Sequence, residues 1–312
     1  MEAPPEIRLF AAAFEERSFT AAARRENATQ SGVSQHIRKL EDRFGIKLFE
    51  RHPGEIIPTP AGQEFYRHCV EVLRAHATAQ QAMQRFGQSL DGEILIGLMP
   101  SMTRCALAPA LARFMTQHPN VSVRIVEAYS AVLTERVRAG ALAFAVVPAA
   151  PITSGLRSRH FGRTPEILVA ATARGLPHRT PIRLATISPL KLVLPGIQNA
   201  RRQSLDSYFA ANAIQVERIL ELDAMLGALD LVAQSDWLTI VPGIMMADEI
   251  AQGRWSVQPL ADPPLAVDLM LIEPSKRPLD APASAFLRIL EGETNRINTG
   301  WAQVDATPPA MG

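Results

Sequence analysis

The side chains with the most informative chemistry form a polar cluster near the N-terminus: Gln30, Ser31, Ser34 and Gln35. Amide and hydroxyl groups both donate and accept hydrogen bonds, as the readout of base edges in the DNA major groove requires. Their spacing places them together on the outward face of a helix predicted over residues 29–43. The same residues would also suit the solvated face of an ordinary helical bundle, so the cluster alone does not decide between these two interpretations.

Basic residues surround this cluster. Between residues 24 and 51 they outnumber the acidic ones, with Arg24, Arg25, Arg38, Lys39, Arg43, Lys47 and Arg51 against Glu26, Glu41, Asp42 and Glu50. The whole chain has 32 Lys and Arg and 31 Asp and Glu residues, a formal net charge of only +1. Local basicity of this kind favours phosphate contacts that the whole-chain charge conceals. The predicted phosphate-binding residues are Arg38, Lys39, Arg43 and Arg51.

Three helices must position the polar face. Apolar residues at three- and four-residue steps predict a first helix over residues 7–17. The second helix is short and starts at Phe19, with Ser18 or Thr20 as its cap. Thr29 caps the third helix. This order predicts a helix-turn-helix, whose last helix enters the major groove of DNA.

A wing and a long helix follow. Apolar and polar residues alternate over residues 46–51, and Ile56 and Ile57 follow after a turn. This pattern predicts a β-hairpin wing. A helix without Gly or Pro is predicted from Gln63 to Phe86. It carries an apolar seam with coiled-coil spacing, formed by Phe65, Cys69, Val72, His76, Ala79, Met83 and Phe86. Because one helix cannot bury such a seam alone, the pattern predicts dimerisation through this helix.

From residue 91 onward, apolar strands alternate with helices, which is typical of an α/β domain. The predicted strands are 93–99, 121–128, 144–147, 166–171, 191–194, 218–222, 238–241 and 267–272. The first two strands and the helix between them form a βαβ unit. A last helix is predicted over residues 281–297, followed by a mobile tail over residues 298–312.

Composition and motifs exclude several classes of protein. Hydrophobic residues make up 47% of the chain and charged residues 20%, which excludes a disordered polar chain. Cys69 and Cys105 fit neither a disulfide framework nor a metal site, and packing is favoured over a redox role. The sequence lacks catalytic motifs, metal-binding histidine spacings and an apolar run of membrane length. We expect a cytoplasmic protein that is not an enzyme and has no cofactor or metal.

Four motifs in this order resemble those of the LysR-type transcriptional regulators. They are Ser-Phe-Thr-x-Ala-Ala at 18–23, Gln-x-x-x-Ser-x-x-Ile-x-x-Leu-Glu at 30–41, Phe-Gly-x-x-Leu-Phe-Glu-Arg at 44–51 and Thr-Pro-Ala-Gly at 59–62. With the α/β pattern, the resemblance covers about residues 7–297. It implies an α + α/β fold with an N-terminal winged helix-turn-helix, a long linker helix that pairs two subunits, and a two-lobed periplasmic-binding-protein-like α/β effector domain. The expected boundaries are 1–58 for the DNA-binding domain, 59–90 for the linker and 91–297 for the effector domain, with lobe I at 91–161 and 267–297 and lobe II at 162–266.

The resemblance also implies which residues contact DNA: Thr29, Gln30, Ser31, Ser34, Gln35, Arg38, Lys39 and Arg51. Three positions depart from the family pattern. Gln35 stands where the family often has Arg, which predicts weaker salt dependence of DNA binding. Glu55 in the wing would repel phosphate. Glu26 replaces a leucine that is usually buried, so its carboxylate must reach solvent or an arginine.

The implied effector cleft lies where the carboxyl ends of the strands in the two lobes meet. Its predicted residues are Pro100, Ser101, Met102, Thr103, Ser130, Pro148, Pro195, Arg202 and Pro242. Hydroxyl and amide donors at residues 100–103 suit a carboxylate, although helix capping explains Ser101 and Thr103 equally well. Arg104 and Arg202 are the candidates for a charged clamp on such a ligand.

Two hypotheses follow. In the first, the protein is a LysR-type DNA-binding regulator controlled by a small organic effector between the two α/β lobes. It binds double-stranded DNA with an interrupted inverted repeat, as a homodimer through the linker helix and, by resemblance, as a homotetramer. In the second, it is a cytoplasmic small-molecule-binding module whose helical head serves only oligomerisation.

Overall fold

A computed structural model of the chain describes residues 3–52, 55–84, 90–151, 154–197, 199–249 and 254–305. The chain divides into two compact units. The first comprises Met1–Ser89 and two later segments, Ile152–Arg157 and Glu273–Ala281, and the second comprises Leu90–Pro151, Ser158–Ile272 and Pro282–Gly312. Within these described ranges, no helix is long and apolar enough to cross a membrane.

The first unit begins with the three predicted helices. The bounds of its elements are α1 Pro5–Glu16, α2 Phe19–Arg25, α3 Gln30–Phe44, β1 Phe49–His52, β2 Glu55–Pro58 and α4 Pro60–Gln84. Ser18, rather than Thr20, caps α2, since its hydroxyl accepts a hydrogen bond from the Ala21 N–H at 3.3 Å. Val33 and Ile37 of α3 are fully buried, as their helical spacing predicts.

One buried carboxylate holds the start of the wing to α3. The side chain of Glu41 is 1% exposed and accepts hydrogen bonds from the N–H of Leu48 at 2.9 Å and of Phe49 at 3.3 Å. The ammonium group of Lys47 lies 3.1 Å from the same carboxylate. Burial raises the pKa of Glu41, but these hydrogen bonds outweigh burial and leave its pKa below the ordinary value. The prediction of strand over residues 46–48 is wrong, because the N–H of Leu48 donates to this carboxylate and β1 begins only at Phe49.

The apolar seam of α4 is partly covered within the head. Phe65 packs edge-on against Phe10 of α1, with ring centroids 4.8 Å apart, and Cys69 is 2% exposed in the same core. Cys69 is therefore not available to a dimer surface, because it lies in the core of the head, and Phe65 is partly buried against the same core. Val72 remains exposed. Two members of the seam lie outside the described residues, the side chain of Met83 and the whole of Phe86.

A second buried carboxylate gathers four segments of the first unit. The Glu15 side chain on α1 is 1% exposed and lies 2.8 Å from Arg25 on α2 and 3.1 Å from Lys276 in the segment Glu273–Ala281. The Tyr66 hydroxyl on α4 donates to the same carboxylate at 2.6 Å. Burial lowers the pKa of Lys276 despite the opposing charge of Glu15. Burial and that same charge raise the pKa of Tyr66.

The rest of the chain alternates strands and helices. The strands are β3 Gly92–Leu98, β4 Val121–Glu127, β5 Ala145–Pro148, β6 Leu156–Ala171, β7 Leu190–Leu194, β8 Val216–Glu221, β9 Leu238–Pro242, β10 Trp255–Pro259 and β11 Ala266–Pro274. The helices are α5 Pro100–Met102, α6 Ala108–Gln117, α7 Ser130–Arg138, α8 Ala200–Ala211, α9 Met225–Ala233 and α10 Ala281–Asp305. A π-helical segment, Thr103–Leu107, joins α5 to α6.

Hydrogen-bonded strands follow the order β4-β3-β5-β11-β6-β9-β7-β8, with β10 beside β6. β3 runs parallel to β4 and β5, and β7 runs parallel to β8 and β9. β11 and β6 are adjacent where these two groups of parallel strands meet. The sequence predicts every one of these strands except β10, and it places the start of β6 at residue 166 rather than at Leu156.

The last helix is longer than predicted. The prediction of a mobile tail is wrong for residues 298–305, which continue α10. Trp301 is fully buried, and its indole N–H donates to the carbonyl of Gly243 at 2.7 Å. This contact gives the final turns a buried anchor that local sequence signals do not reveal. Residues 306–312 lie outside the described residues.

Replacing Glu41 by Gln removes the buried charge and keeps an oxygen acceptor. We expect the variant to be less stable by about 1–3 kcal/mol at neutral pH, because the charge-assisted hydrogen bonds are lost. Folding lowers the pKa of Glu41, so its stabilisation is present at neutral pH and is lost as the pH falls below the ordinary value of 4.5. Urea unfolding should show the difference shrinking in acid, whereas a pH-independent difference would contradict this account. The matched control, Glu50→Gln on β1, removes an exposed carboxylate and should change stability by less than about 0.5 kcal/mol.

Candidate functional site

The residues predicted to read bases lie on one face of α3. Within the described residues, four exposed side chains of this face make no hydrogen bond or ion pair inside the protein: Gln30, Gln35, Arg38 and Lys39. Polar groups that the fold does not use remain available to an external partner. The face therefore presents amide groups and cations that the described part of the chain does not use.

The first turn of α3 is fixed by its cap. The hydroxyl of Thr29 accepts a hydrogen bond from the Gly32 N–H at 3.1 Å. The hydroxyl of Ser31 lies 3.3 Å from the same oxygen. These two hydroxyls hold the turn from which a recognition helix presents its base-contacting residues.

Arg51 links the wing to α3. Its guanidinium donates to the Ser34 hydroxyl at 3.5 Å and lies 5.3 Å from the ring centroid of Phe19. The buried carboxylate of Glu41 is 4.0 Å away. Arg51 is exposed, so its charge is presented beside the polar face of α3. The structure thus brings Ser34 and Arg51, both predicted to contact DNA, together.

Several charges of the head are neutralised internally. Glu26 pairs with Arg8 at 2.9 Å, which meets the requirement that its carboxylate find an arginine or solvent. Arg25 and Lys47 are also paired, each with a buried carboxylate. Glu55 is exposed at the start of β2, where it keeps a negative charge in the wing. The positive charge available to phosphates is therefore smaller than the sequence count indicates.

In the second unit, the carboxyl ends of the parallel strands form two edges that face each other. The hydroxyl of Tyr129, after β4, donates to the carbonyl of Asp223, after β8. Arg104 likewise donates to the carbonyl of Met245, after β9. Ligands of α/β sheets bind at such strand ends. The predicted cleft residues at the starts or ends of elements on these edges are Pro100, Met102, Ser130, Pro148 and Pro242, and Pro195 directly follows β7.

The turn after β3 contains a buried hydroxyl without a partner. Ser101 is fully buried, and its Oγ has no hydrogen-bond partner in the described part of the chain. It does not cap α5, whose cap residue is Met99. Leaving such a group unsatisfied costs about 1–3 kcal/mol, a penalty that a polar ligand group would relieve. The π-helical segment Thr103–Leu107 directly follows, and such segments are frequent at functional sites.

The unpaired charges at this cleft are negative. Glu127 accepts a hydrogen bond from the Thr103 hydroxyl, and the Asp223 carboxylate accepts one from the Gly196 N–H at 2.9 Å. Neither carboxylate has an ion-pair partner among the residues that the structure describes. Burial and the charges of Asp223 and Glu127 raise the pKa of Tyr129, so both carboxylates act on the same region.

The predicted charged clamp is not formed. Arg202 is 6% exposed and pairs with Asp206 at 2.9 Å and with Glu221 at 3.2 Å. Arg104 pairs with Glu249 at 3.4 Å. Each guanidinium is neutralised inside the protein, so neither offers a free charge to a carboxylate ligand.

Sequence reasoning missed the buried pair behind the cleft. Arg201 and Glu166 are joined by two hydrogen bonds, at 2.6 Å and 2.7 Å, and Arg201 also donates to the carbonyl of Ile240. No local spacing connects residues 35 positions apart. The missed carboxylates Glu127 and Asp223 did leave a signal, since each lies at the end of an apolar strand run, where ligand-binding residues of α/β sheets occur.

Both cysteine thiols are buried. Burial raises the pKa of Cys69 to about 12. Cys105 donates to the carbonyl of Met245 at 3.1 Å, and burial raises its pKa as well. Because the thiolate is the reactive form, these surroundings favour packing over redox chemistry for both residues.

Two family models match the chain. The LysR substrate binding domain matches residues 87–295. The bacterial regulatory helix-turn-helix protein, lysR family, matches residues 5–63. The two matches coincide with the sheet-containing part of the chain and with the helical head.

Similar proteins and structures carry the same arrangement. YfeR, an uncharacterized HTH-type transcriptional regulator of Shigella flexneri, is 22% identical over 295 residues, 95% of each chain. The crystal structure of full-length CbnR with its target DNA matches 93% of this chain and 98% of that one, with a TM-score of 0.55 and 19% identity. A hydrogen-peroxide-bound mutant of Corynebacterium glutamicum OxyR matches 98% of this chain and 100% of that one, with a TM-score of 0.59 and 21% identity. At these identities, the structural matches establish a shared fold.

The native thiols should be inert. A rise in pKa from 9.0 to about 12 lowers the thiolate fraction of Cys69 at neutral pH about a thousandfold. We expect a disulfide reagent to label Cys69 and Cys105 far more slowly in the native protein than in urea. Ser122→Cys, at an exposed position of β4, provides a matched accessible thiol that should react rapidly. Labelling of either native cysteine as fast as this control would overturn the assignment to packing.

Proposed function

The chain belongs to the LysR family of bacterial transcriptional regulators, and we propose that the free face of α3 reads its operator while an effector in the strand-end cleft controls binding. The observation that carries the DNA-binding assignment is the set of α3 side chains without internal partners. An effector-binding domain is part of the family, and the orphaned hydroxyl of Ser101 supports a ligand at these strand ends. The protein would act in the cytoplasm, without an enzymatic activity or cofactor of its own.

We propose the domain division that the sequence indicates. The DNA-binding domain would span residues 1–58, the linker helix 59–90, and the effector domain 91–297. Lobe I would contain 91–161 and 267–297, and lobe II 162–266, with the last turns of α10 added to lobe I. The strand order supports this division, because β4, β3, β5 and β11 are neighbours, as are β6, β9, β7 and β8.

The DNA contacts that we propose come from α3 and the wing. Gln30 and Gln35 would bond base edges, with Ser31 and Ser34 nearby. The proposed phosphate contacts are Thr29, Arg38, Lys39 and Arg51. The hydrogen bond from Arg51 to Ser34 supports a single surface formed by both elements.

Two heads would be needed for an operator. We propose a homodimer through the part of α4 that the head leaves uncovered, including Val72, and a homotetramer of such dimers. Dimeric helix-turn-helix proteins hold their recognition helices about 34 Å apart, one turn of DNA. The expected target is therefore double-stranded DNA with an interrupted inverted repeat.

The chemistry of the cleft favours a small organic effector with an amine rather than a carboxylate. Arg104 and Arg202 are neutralised by internal carboxylates. Glu127 and Asp223 have no cationic partner within the described chain. An ammonium group would gain charge-assisted hydrogen bonds there, whereas a carboxylate would be repelled. Ser101 would then bond a second polar group of the same ligand.

Gln30→Ala tests the reading of bases. DNA sites are first selected by the wild-type protein from a random pool. We expect the variant to lose about 1–3 kcal/mol in binding to a selected site, because a base contact is removed, with little change on random DNA. Arg38→Gln should instead weaken binding to the selected site and to random DNA alike. It should also reduce the slope of log affinity against log salt concentration by about 0.9 per subunit.

Gln63→Ala, on the exposed start of α4, is the matched control and should bind as the wild type does. If Gln30→Ala and Arg38→Gln both retained full affinity, the head would not bind DNA in this way. The alternative of a head that serves only oligomerisation would then gain support.

Primary amines and carboxylates built on the same carbon skeletons test the effector chemistry. A ligand that binds only the folded state stabilises it by about 2.7 kcal/mol at a hundredfold excess over its Kd. We expect amines to raise the melting temperature of the wild type and to lose this effect in the double variant Glu127→Gln with Asp223→Asn. Glu217→Gln, an exposed carboxylate on β8, is the matched control. Equal responses of the double variant and the wild type would contradict the proposed site.

A further inference from the structure

A cavity lies between α6 and α10, near the amino end of β4. Its volume is about 250 Å³, and its lining consists of Arg113, Gln117, His118, Ala285, Arg288 and Ile289. The helix that joins the parallel strands β3 and β4 leaves the carboxyl end of β3 and returns to the amino end of β4. The cavity sits at the return, so it is separate from the proposed effector cleft.

The two helices that form the cavity are held together beneath it. Phe114 of α6 packs edge-to-face on Phe286 of α10, with ring centroids 5.3 Å apart and an interplanar angle of 89°. Both rings are fully buried. Arg113 adjoins Phe114 in sequence and Arg288 lies two residues after Phe286, so this packed contact limits where the two arginine side chains leave their helices.

The cavity combines free positive charge with an apolar floor. Arg113 and Arg288 are exposed, and neither has an ion-pair or hydrogen-bond partner among the described residues. The carboxylate one turn along α10, Glu291, is already paired with Arg159 at 2.6 Å. Ala285 and Ile289 are buried and supply the apolar surface.

We propose that this cavity binds a small carboxylate carried on an apolar ring, of about the size of benzoate. Two guanidinium groups would bind the carboxylate through charge-assisted hydrogen bonds, and the apolar floor would accept the ring. A cavity of about 150 Å³ already admits benzene, so 250 Å³ leaves room for a ring with its carboxylate. Gln117 and the His118 ring add polar groups at the rim. The site would let an aromatic acid bind the same chain that takes a different ligand at its strand ends.

Two experiments on the full-length protein test this site. Crystals soaked with 4-bromobenzoate should show an anomalous bromine peak between α6 and α10. In calorimetric titrations, benzoate should bind the wild type at least about ten-fold more tightly than its uncharged analogue benzamide does. Benzoate should also bind the double variant Arg113→Gln with Arg288→Gln at least about ten-fold more weakly than it binds the wild type. Both arginines are exposed, so the double variant should keep the wild-type melting temperature, and this is measured alongside.

Arg136→Gln on α7 is the matched control, because it removes an exposed arginine that also has no partner within the described chain. It should bind benzoate as the wild type does. The proposal is overturned if the bromine peak occurs only at the strand ends, if benzoate does not bind at millimolar concentrations, or if the double variant binds it unchanged. Equal affinity for benzamide would overturn it as well, because the guanidinium groups would then have no role.

Discussion

Buried carboxylates that hold several chain segments at once are the constraint on which both units depend. Glu15, Glu41 and Glu166 have side chains that are only 1% exposed. Glu15 and Glu166 meet donors from distant parts of the sequence, and Glu41 meets donors from the segment that follows its helix. In the Arg201–Glu166 pair both side chains are buried, and removing one partner of such a pair costs about 3–5 kcal/mol, because a charge is left uncompensated away from water. The chain segments that bond to one carboxylate must therefore keep fixed positions relative to one another. This requirement also fixes the positions of the exposed side chains on those segments.

Glu41 shows how a buried charge organises an exposed site. It belongs to α3 and takes the N–H groups of Leu48 and Phe49, so the wing begins at a set distance from the recognition helix. Arg51 follows directly and reaches Ser34 on the exposed side of the same helix. Glu41 thus aligns the two segments of the proposed DNA-binding surface from the buried side of α3. Since alignment does not depend on contacts within the surface, most of its polar side chains stay free for base edges and phosphates.

The sequence predicts elements and the faces of elements better than it predicts what covers them. Helical spacing is local, so Val33 and Ile37 are buried and the polar side of α3 is exposed, as expected. The partner of a face is not local. Cys69 fits a dimer seam by spacing, yet it is buried in the core of the head, and Trp301 extends the last helix through a contact that no nearby residue signals. The charge of the cleft is equally non-local, because Arg202 on α8 is neutralised in part by Glu221 on β8.

The charge available to a partner is the total charge minus the charge that the fold pairs internally. Only the total charge can be read from a sequence. In the head, Arg25 and Lys47 are neutralised by buried carboxylates, whereas Arg38 and Lys39 are not. At the strand-end cleft the arginines are neutralised and Glu127 is left without a cation among the described residues. An internal ion pair removes a charge from a surface as effectively as a substitution would. A chain with a net charge of +1 can therefore attract a polyanion at one surface and repel anions at another.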